Sequence, residues 1–424
     1  MPNNILALLI LLVVLAAFAV QSIPMGVTAI LGAVAMAAFG LMDFSDVFRG
    51  FSSDTVMMVA GMIVVGNAVN ETKLSVVLGK LILRIKLIQR NERLFLLVLL
   101  IFITAIGSFV TNTAVVAIFL PLVASVARAS GGAITKKNTY MAIGITAVVS
   151  GNMTLVSSTP QMAAQAVLSQ TAGCVPLGFF TMTKAAIPLS LLAIFYFTTF
   201  GYSLSKKVFT FPEVGETREA ADDLPANKAK MIVCGVVFCA CIVFLVGGFL
   251  PFGVVSIVAA CLMILSGCIS FPRAMLTMDW NSVLVIAGAL SFGVGLERSG
   301  AVNLVADVVL KFVGGDRAGP FPVFAVIVVL SSVLSTTMSN TVTAVILTPM
   351  AIALAQSLGA DPVTFVIGVI FGCNYDFLTP VGTPPVTMTL CGGYRFFDYT
   401  KVGGVFNILI IISTILIVPV IYGF

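Results

Sequence analysis

The chain has 424 residues, of which 59% are hydrophobic and only 9% are charged, and its mean hydropathy is +1.15. Soluble domains carry about 25% charged residues, so this composition excludes a water-soluble globular protein. The net charge of +5 is too small for the basic surface of a nucleic-acid-binding protein, and the absence of histidine removes a common metal ligand and proton relay. The sequence therefore predicts an all-α polytopic protein that lies in a lipid bilayer.

Apolar stretches long enough to cross about 30 Å of hydrocarbon follow one another along the chain. Crossings are expected first at 4–20, 24–41, 53–70, 138–171 and 179–204, with an amphipathic basic arm at 72–93 and an interrupted apolar stretch at 94–126. Residues 205–230 are polar. The same series of elements is then expected at 231–250, 251–270, 281–297, 300–317, 320–357, 362–394 and 402–422.

Four short segments of the first part recur in the second part at a nearly constant offset. The matching segments are Pro24–Val27 with Pro251–Val254, Asp54–Gly61 with Asn281–Gly288, Thr111–Thr113 with Ser339–Thr341, and Thr159–Pro160 with Thr383–Pro384. Four matches in one order indicate a duplicated unit. The predicted domains are a first repeat at 1–204, a cytoplasmic linker at 205–230 and a second repeat at 231–424.

The interrupted stretch 94–126 has two interpretations: one long crossing followed by a loop, or a re-entrant hairpin with the polar triplet 111–113 at its tip. Basic residues flank both ends, which favours placing both ends in the cytoplasm and therefore a hairpin. Five crossings per repeat then invert the second repeat relative to the first. With both termini outside, 17 of the 22 Lys and Arg residues fall inside. The prediction is ten crossings and two opposed hairpins in the cell inner (plasma) membrane.

Paired broken helices in inverted repeats are typical of a binding site near the bilayer midplane. A break exposes N–H groups, which attract anions, and carbonyl groups, which together with Asn, Ser and Thr oxygens suit an alkali cation. Two such breaks predict a pocket for a small anion with a cation beside it. The alternative is that these polar residues only cap helices or join neighbouring helices.

The two triplets, together with the segment Leu378–Pro385, resemble the divalent anion:sodium symporter family of the ion transporter superfamily. The resemblance implies an elevator mechanism, in which a transport domain of hairpins and broken helices slides against the scaffold of a homodimer. It implies sodium as the coupling ion and as the metal at two cation-binding groups, Thr111, Asn112 and Ser158 in one, and Ser335, Asn340 and Gly382 in the other. The residues implied to bind substrate are Thr113, Thr159, Ser339, Thr341 and Thr383.

Three departures from the family pattern leave the ion and the substrate open. The first Thr-Pro loop reads Ser158-Thr159-Pro160-Gln161, where the family usually has Gly-Thr-Pro-Pro-Asn, and the first triplet begins with Thr in place of Ser. Asp376 stands where the family is typically apolar. An ionisable residue at membrane depth is a candidate coupling residue: it replaces a sodium contribution or carries a proton, or else it pairs with a distant Lys or a backbone N–H.

The sequence therefore predicts a secondary active transporter for sodium-coupled symport of a small divalent anion, first of all a C4 dicarboxylate. Alternative cargoes are a tricarboxylate, sulfate or an arsenite-type oxyanion. A different class is the membrane subunit of a TRAP-like, binding-protein-dependent transporter. An intramembrane enzyme is disfavoured because no nucleophile–base pair is recognisable, so no catalytic residue is predicted.

Overall fold

The computed structural model describes residues 2–20, 23–74, 91–130, 132–211, 227–301, 304, 308, 311, 319–336, 338–380 and 382–424. Every regular element in these ranges is helical. Most of the predicted arm at 72–93, most of its counterpart at 300–317 and most of the linker lie outside the described residues.

The described residues up to 211 form nine α-helices. They are α1 (Asn3–Val20), α2 (Met25–Ala38), α3 (Asp54–Glu71), α4 (Glu92–Gly107), α5 (Asn112–Ala129), α6 (Lys136–Gly151), α7 (Thr159–Gln170), α8 (Thr183–Thr198) and α9 (Phe200–Val208). Two short 3-10 turns, Phe44–Asp46 and Arg49–Ser52, connect α2 to α3.

The described residues from 227 onward form nine α-helices. They are α10 (Lys228–Gly247), α11 (Phe252–Leu265), α12 (Phe271–Leu276), α13 (Trp280–Arg298), α14 (Pro320–Ser335), α15 (Asn340–Ser357), α16 (Pro362–Asn374), α17 (Pro384–Met388) and α18 (Phe396–Tyr422). Several lengths recur between the two series: α2 and α11 have 14 residues each, α4 and α14 have 16, and α5 and α15 have 18.

Helix boundaries follow local capping chemistry, which explains where they depart from the predicted ranges. The last helix begins at Phe396, earlier than the predicted 402, because Arg395 N–H donates to Asp398 Oδ2 at 2.8 Å in a capping box. The Asn227 side chain accepts from two backbone N–H groups of the next turn and starts α10 within the predicted linker. The predicted crossing 179–204 is two helices, α8 and α9, bent by 44°.

Helices of the two series pack in reciprocal pairs, α2 against α13 and α11 against α3. Gly26 N–H donates to Asn281 Oδ1 at 2.9 Å, and Gly253 N–H donates to Asp54 Oδ1 at 3.0 Å. Gly253 lies 227 positions after Gly26, and Asn281 lies 227 positions after Asp54, so the two hydrogen bonds join equivalent residues. The two series therefore exchange equivalent contacts in their packing.

The helices α4 and α5 form an antiparallel hairpin that packs on α6. At the start of α4, Glu92 Oε1 accepts from Thr135 N–H at 2.8 Å, just before α6 begins. At the other end, a Cβ added to Gly107 would lie 2.5 Å from Ser150 Oγ, one residue before α6 ends. Helix α6 thus runs parallel to α4. It runs antiparallel to α5, which it directly follows in the chain. The arms turn at residues 108–111, as the hairpin interpretation of 94–126 expects.

The helices α14, α15 and α16 repeat this arrangement. A Cβ added to Gly372 would lie 2.6 Å from Val328 O, and Ser335 Oγ donates to Cys373 O at 2.5 Å. Helices α14 and α16 therefore run in the same direction, and only four residues connect α15 to α16. The polar triplet 339–341 lies at the turn between α14 and α15.

Length and composition suit several helices to a bilayer. Within the described residues, four helices are long and apolar enough to cross a membrane, namely α10, α13, α15 and α18, and the bent pair of α8 and α9 would make five. Six shorter apolar helices accompany them. The protein is thus a multi-pass membrane protein, while the count of ten crossings stays a prediction.

The close packing of α13 on α2 generates a stability prediction. A Cβ added to Gly288 would lie 2.8 Å from Ile30 N and 2.9 Å from Ala29 C, and backbone atoms cannot move aside cheaply. We expect Gly288→Ala to destabilise the protein by about 1–3 kcal/mol, measured as a lower melting temperature in detergent. The matched control is Gly293→Ala in the same helix, whose Cβ meets nothing within 4 Å. Equal melting temperatures for the two variants would contradict this packing.

Candidate functional site

The helix starts predicted to face a ligand meet across the two repeats. Thr159 Oγ1, at the start of α7, lies 2.8 Å from Thr341 Oγ1, in the first turn of α15. The two residues are 182 positions apart in the chain and belong to different repeats. The structure therefore brings together two of the five residues predicted to bind substrate.

The hydroxyl groups at these helix starts do not cap the helices. Thr111, Ser158, Ser339 and Thr383 are the N-cap residues of α5, α7, α15 and α17, and none of their side chains makes a capping hydrogen bond. The alternative explanation, that these residues are present to cap helices, does not describe the observed geometry. The first-turn N–H groups, which have no partner inside a helix, are thus not occupied by these side chains.

Three oxygens of the second repeat converge where α14, α15 and α16 meet. Ser335 Oγ lies 2.7 Å from Asn340 Oδ1 and 2.5 Å from Cys373 O, and Ser335 is fully buried. Both neighbours are acceptors, whereas the hydroxyl carries one proton, so it can satisfy only one of them. Oxygen-rich groups with surplus acceptors suit a hard cation. Two of the three residues predicted for this cation group, Ser335 and Asn340, are therefore in contact.

The corresponding place in the first repeat has a different composition. Asn112 is buried, and its Oδ1 has no hydrogen-bond partner among the described residues. A Cβ at Gly151 would overlap that oxygen, so the glycine makes room for the Asn112 side chain. Gly107 stands where the second repeat has Ser335, 228 positions later. The hydrogen bonds of the described residues join Ser158 to neither Thr111 nor Asn112, and because ligands of one ion need not bond one another, this cation group stays a prediction.

The remaining predicted substrate residues differ in exposure. Thr113 is exposed, Ser339 is half-buried, and Thr383 is buried with an Oγ1 that has no partner among the described residues. By the repeat, a Thr113–Thr383 contact would be the counterpart of the Thr159–Thr341 contact. Among the described residues, a hydrogen bond joins Thr159 to Thr341, and none joins Thr113 to Thr383.

A buried amide network joins the two repeats, and sequence reasoning missed it. Asn152 Oδ1 accepts from Gln161 Nε2 at 3.0 Å and from Asn374 Nδ2 at 2.7 Å, and all three residues are buried. Gln161 Nε2 also donates to Gly151 O at 2.7 Å. The sequence contains one signal for this network: Asn152 and Asn374 both stand beside a polar break. Asn152 directly follows α6, and Asn374 is the last residue of α16.

Asp376, the candidate coupling residue, is fully buried in the loop between α16 and α17. It lies against Gly382, because a Cβ at Gly382 would overlap Asp376 Oδ2. The predicted pairing of Asp376 with a distant Lys is not observed in any ion pair of the described residues.

A cavity of about 930 Å³ lies beside this site rather than within it. It separates residues of α1, α2 and α13 from residues of α7 and α15, and it contains none of the predicted site residues. A second cavity of only about 10 Å³ touches Thr111 together with Met62 and Gly66. The broken helices themselves are thus closely packed in this conformation.

Comparison with known proteins decides the family. The model of the citrate transporter family matches residues 10–315 and 253–424, which together extend over nearly the whole chain. The chain belongs to the citrate transporter family. The resemblance to divalent anion:sodium symporters is confirmed, because relatives of this family member include sodium-dependent dicarboxylate transporters. The family is one of transporters, as the sequence predicted.

Three relatives illustrate the range of similarity. An uncharacterized transporter of Escherichia coli strain K12 is 33% identical over 41% of this family member, which spans only 28% of that relative's length. An uncharacterized transporter of Haemophilus influenzae is 24% identical, with 97% of this chain and 90% of the relative covered. The sodium-dependent high-affinity dicarboxylate transporter 3 of Caenorhabditis elegans is 23% identical, with 93% and 79% covered.

The amide network predicts energetic coupling between the repeats. Because Asn152 and Asn374 share a buried hydrogen bond, the combined effect of Asn152→Ala and Asn374→Ala on stability should be smaller than the sum of the single effects, by about 0.5–3 kcal/mol. Melting temperatures of the single and double variants measure this difference. As a control, Asn152→Ala should add independently to Asn138→Ala at the far end of α6, where Asn138 Nδ2 donates to Glu92 Oε2. Additivity in both pairs would exclude the proposed coupling.

Proposed function

We propose that this family member is a secondary active transporter that carries a small divalent anion, most simply a C4 dicarboxylate, together with sodium. The observation that carries the proposal is the meeting of two broken helices from different repeats at Thr159 and Thr341. Helix N-termini attract anions, and the carbonyl and amide oxygens beside them suit a cation. One site can then hold both charges.

We further infer that the two repeats are inverted relative to each other. Helices α3 and α13 occupy the same place in their series. Gly50, just before α3, donates its N–H to Ser291 Oγ in the middle of α13, whereas Asn67, near the end of α3, donates to Thr277 O, before α13 begins. Equivalent helices that run in opposite directions support an inverted repeat, which is typical of transporters with a midplane site.

The packing also supports an elevator mechanism. The reciprocal pairs of α2 with α13 and α11 with α3 form one body. The hairpins and broken helices form another, held together by contacts such as Thr159–Thr341 and Asn152–Asn374. The cavity of about 930 Å³ separates parts of these bodies, so movement of one against the other would break few contacts there. A homodimer formed through the first body remains a prediction of the family resemblance.

Sodium coupling draws on two independent facts. The cluster of Ser335, Asn340 and the Cys373 carbonyl offers only neutral hard oxygens, which suit an alkali cation. The nematode relative, which covers 93% of this chain, is named a sodium-dependent dicarboxylate transporter. We assign Ser335, Asn340 and Gly382 to one sodium and Asn112, with Thr111 and Ser158, to the other.

Citrate is a second candidate cargo. It is favoured by the description of the matched family, which is that of citrate transporters. A tricarboxylate would need a larger pocket than a dicarboxylate at the Thr113 and Thr383 side of the site, where no hydrogen bond of the described residues joins these two hydroxyls. Competition of unlabelled citrate against labelled succinate distinguishes the two cargoes.

The predicted orientation, with both termini outside the cell, agrees with how charged residues group. Arg49 and Arg298, both predicted outside, share Asp46 as an ion-pair partner, whereas Arg93 and Lys206, both predicted inside, lie over the Tyr202 ring. We expect a membrane-impermeant maleimide to label Arg49→Cys on intact cells and to label Lys207→Cys only after lysis. The unsubstituted chain gives the background from its native cysteines. The reverse pattern would overturn the orientation.

Transport is tested by uptake of labelled succinate into proteoliposomes. We expect an inward sodium gradient to stimulate uptake, and we expect Asn112→Ala and Asn340→Ala each to abolish the stimulation, because each removes an oxygen at a cation site. Folding should persist, as judged by size-exclusion profiles and melting temperatures. Asn70→Ala, an exposed residue near the end of α3, is the matched control. If the uptake of both dicarboxylate and citrate is independent of the sodium gradient, the sodium-coupled mechanism is excluded.

A further inference from the structure

Asp376 is a buried carboxylate for which the described residues provide no compensation. It is 0% exposed, neither carboxylate oxygen has a hydrogen-bond partner, and none of the ion pairs in the described ranges includes it. It lies two residues beyond Asn374, the last residue of α16, where the helix carries partial negative charge. An ionised carboxylate in this place loses its hydration and is repelled by the helix end. The carboxylate therefore needs either a bound cation or a proton.

Residues in the loop of Asp376 and at the nearby end of α16 carry oxygen atoms that can act as cation ligands. Gly382 lies directly against Asp376 Oδ2, and Thr383 Oγ1 is buried without a partner among the described residues. The Cys373 carbonyl, three residues earlier, lies 2.5 Å from Ser335 Oγ, which also contacts Asn340. A carboxylate, hydroxyls and carbonyls are the ligand types that hard cations prefer.

Comparison of the repeats isolates what is special about Asp376. At the offset of 224 that relates Thr159 to Thr383, Gly382 corresponds to Ser158. Asn152 directly follows the end of α6, whereas Asp376 lies two residues beyond the end of α16, so the two residues are not counterparts in the structure. The second repeat thus has an unpartnered carboxylate in its loop, where residues 152–158 of the first repeat contain no acidic residue, and it has a glycine that leaves room for that carboxylate in place of Ser158.

We propose that Asp376 is a direct ligand of the coupling cation in the second repeat, with Gly382 providing the space for its carboxylate. The inference deepens the proposed sodium coupling and rests on it. The cation supplies the positive charge that the protein does not, and the carboxylate gives this half-site one full negative charge that the first repeat lacks. The two cation sites then differ in strength, and the second binds sodium more tightly.

The test is the sodium dependence of thermal stability, because an ion that binds only the folded protein raises its melting temperature. Purified wild-type protein, Asp376→Asn and Asp361→Asn are titrated with sodium chloride, with choline chloride keeping the ionic strength constant. Asp361 is the matched control: it is exposed, it caps the other end of α16, and asparagine caps equally well. We expect Asp376→Asn to need about tenfold more sodium or more for the same shift, while Asp361→Asn follows the wild type.

In choline alone, Asp376→Asn should melt at the wild-type temperature or above it, because the substitution removes a charge that has no partner. A purely structural role for the carboxylate predicts a lower melting temperature there. If Asp376→Asn follows the wild-type sodium titration, the proposed ligation is overturned. Sodium coupling itself is tested separately by Asn340→Ala: if that variant loses the sodium response, sodium coupling still holds. A wild type that shows no sodium response overturns both.

If Asp376→Asn does not fold, Gly382→Ala decides the matter. Its added Cβ would overlap Asp376 Oδ2 and displace the carboxylate without changing any charge. The expected result is again a weakened sodium response. An unchanged response in Gly382→Ala overturns the proposed ligation.

Discussion

A backbone that leaves the helical pattern inside hydrocarbon finds no water to satisfy its polar groups, so it must be covered by protein or face a cavity. The hairpin turns and the loops after α6 and α16 all leave that pattern. They cover one another, through the Thr159–Thr341 contact and through the amide network of Asn152, Gln161 and Asn374. The same requirement collects exposed N–H groups, carbonyls and hydroxyls in one place. A ligand site is then formed from groups that the fold must bring together in any case.

Duplication gives this protein a symmetric frame and a chemically asymmetric site. The frame exchanges equivalent hydrogen bonds, Gly26 with Asn281 and Gly253 with Asp54. At the site, by contrast, Ser335 corresponds to Gly107, and the second repeat has Asp376 in its loop, where residues 152–158 of the first repeat contain no acidic residue. The contacts between α2 and α13 and between α11 and α3 are constrained because both repeats must pack together there. The residues of the proposed site can diverge, because each half-site binds its own ligand.

The sequence predicted local structure well because both repeats carry the same signals. The arms of each hairpin, the positions of the triplets at helix starts and the broken helices follow from apolar length and polar interruptions. It could not predict contacts that depend on how the repeats pack, such as Asn152 with Asn374. The grouping of Ser158 with Thr111 and Asn112, which the family resemblance implies, stays a prediction, because motif spacing does not fix the direction of a side chain. The early start of α18 was missed because a capping box depends on two side chains rather than on apolar length.

The character of the site offers a physical reason for coupling in the proposed mechanism. No Lys or Arg of the described residues is buried, so no permanent positive charge there would hold an anion in every state. Helix N-termini contribute only about half an elementary charge each, which is weak support for a dianion removed from water. Bound sodium supplies the missing charge, and by linkage the anion strengthens sodium binding by the same factor. Loss of sodium to the cytoplasm then releases the anion, whereas a buried arginine would retain it.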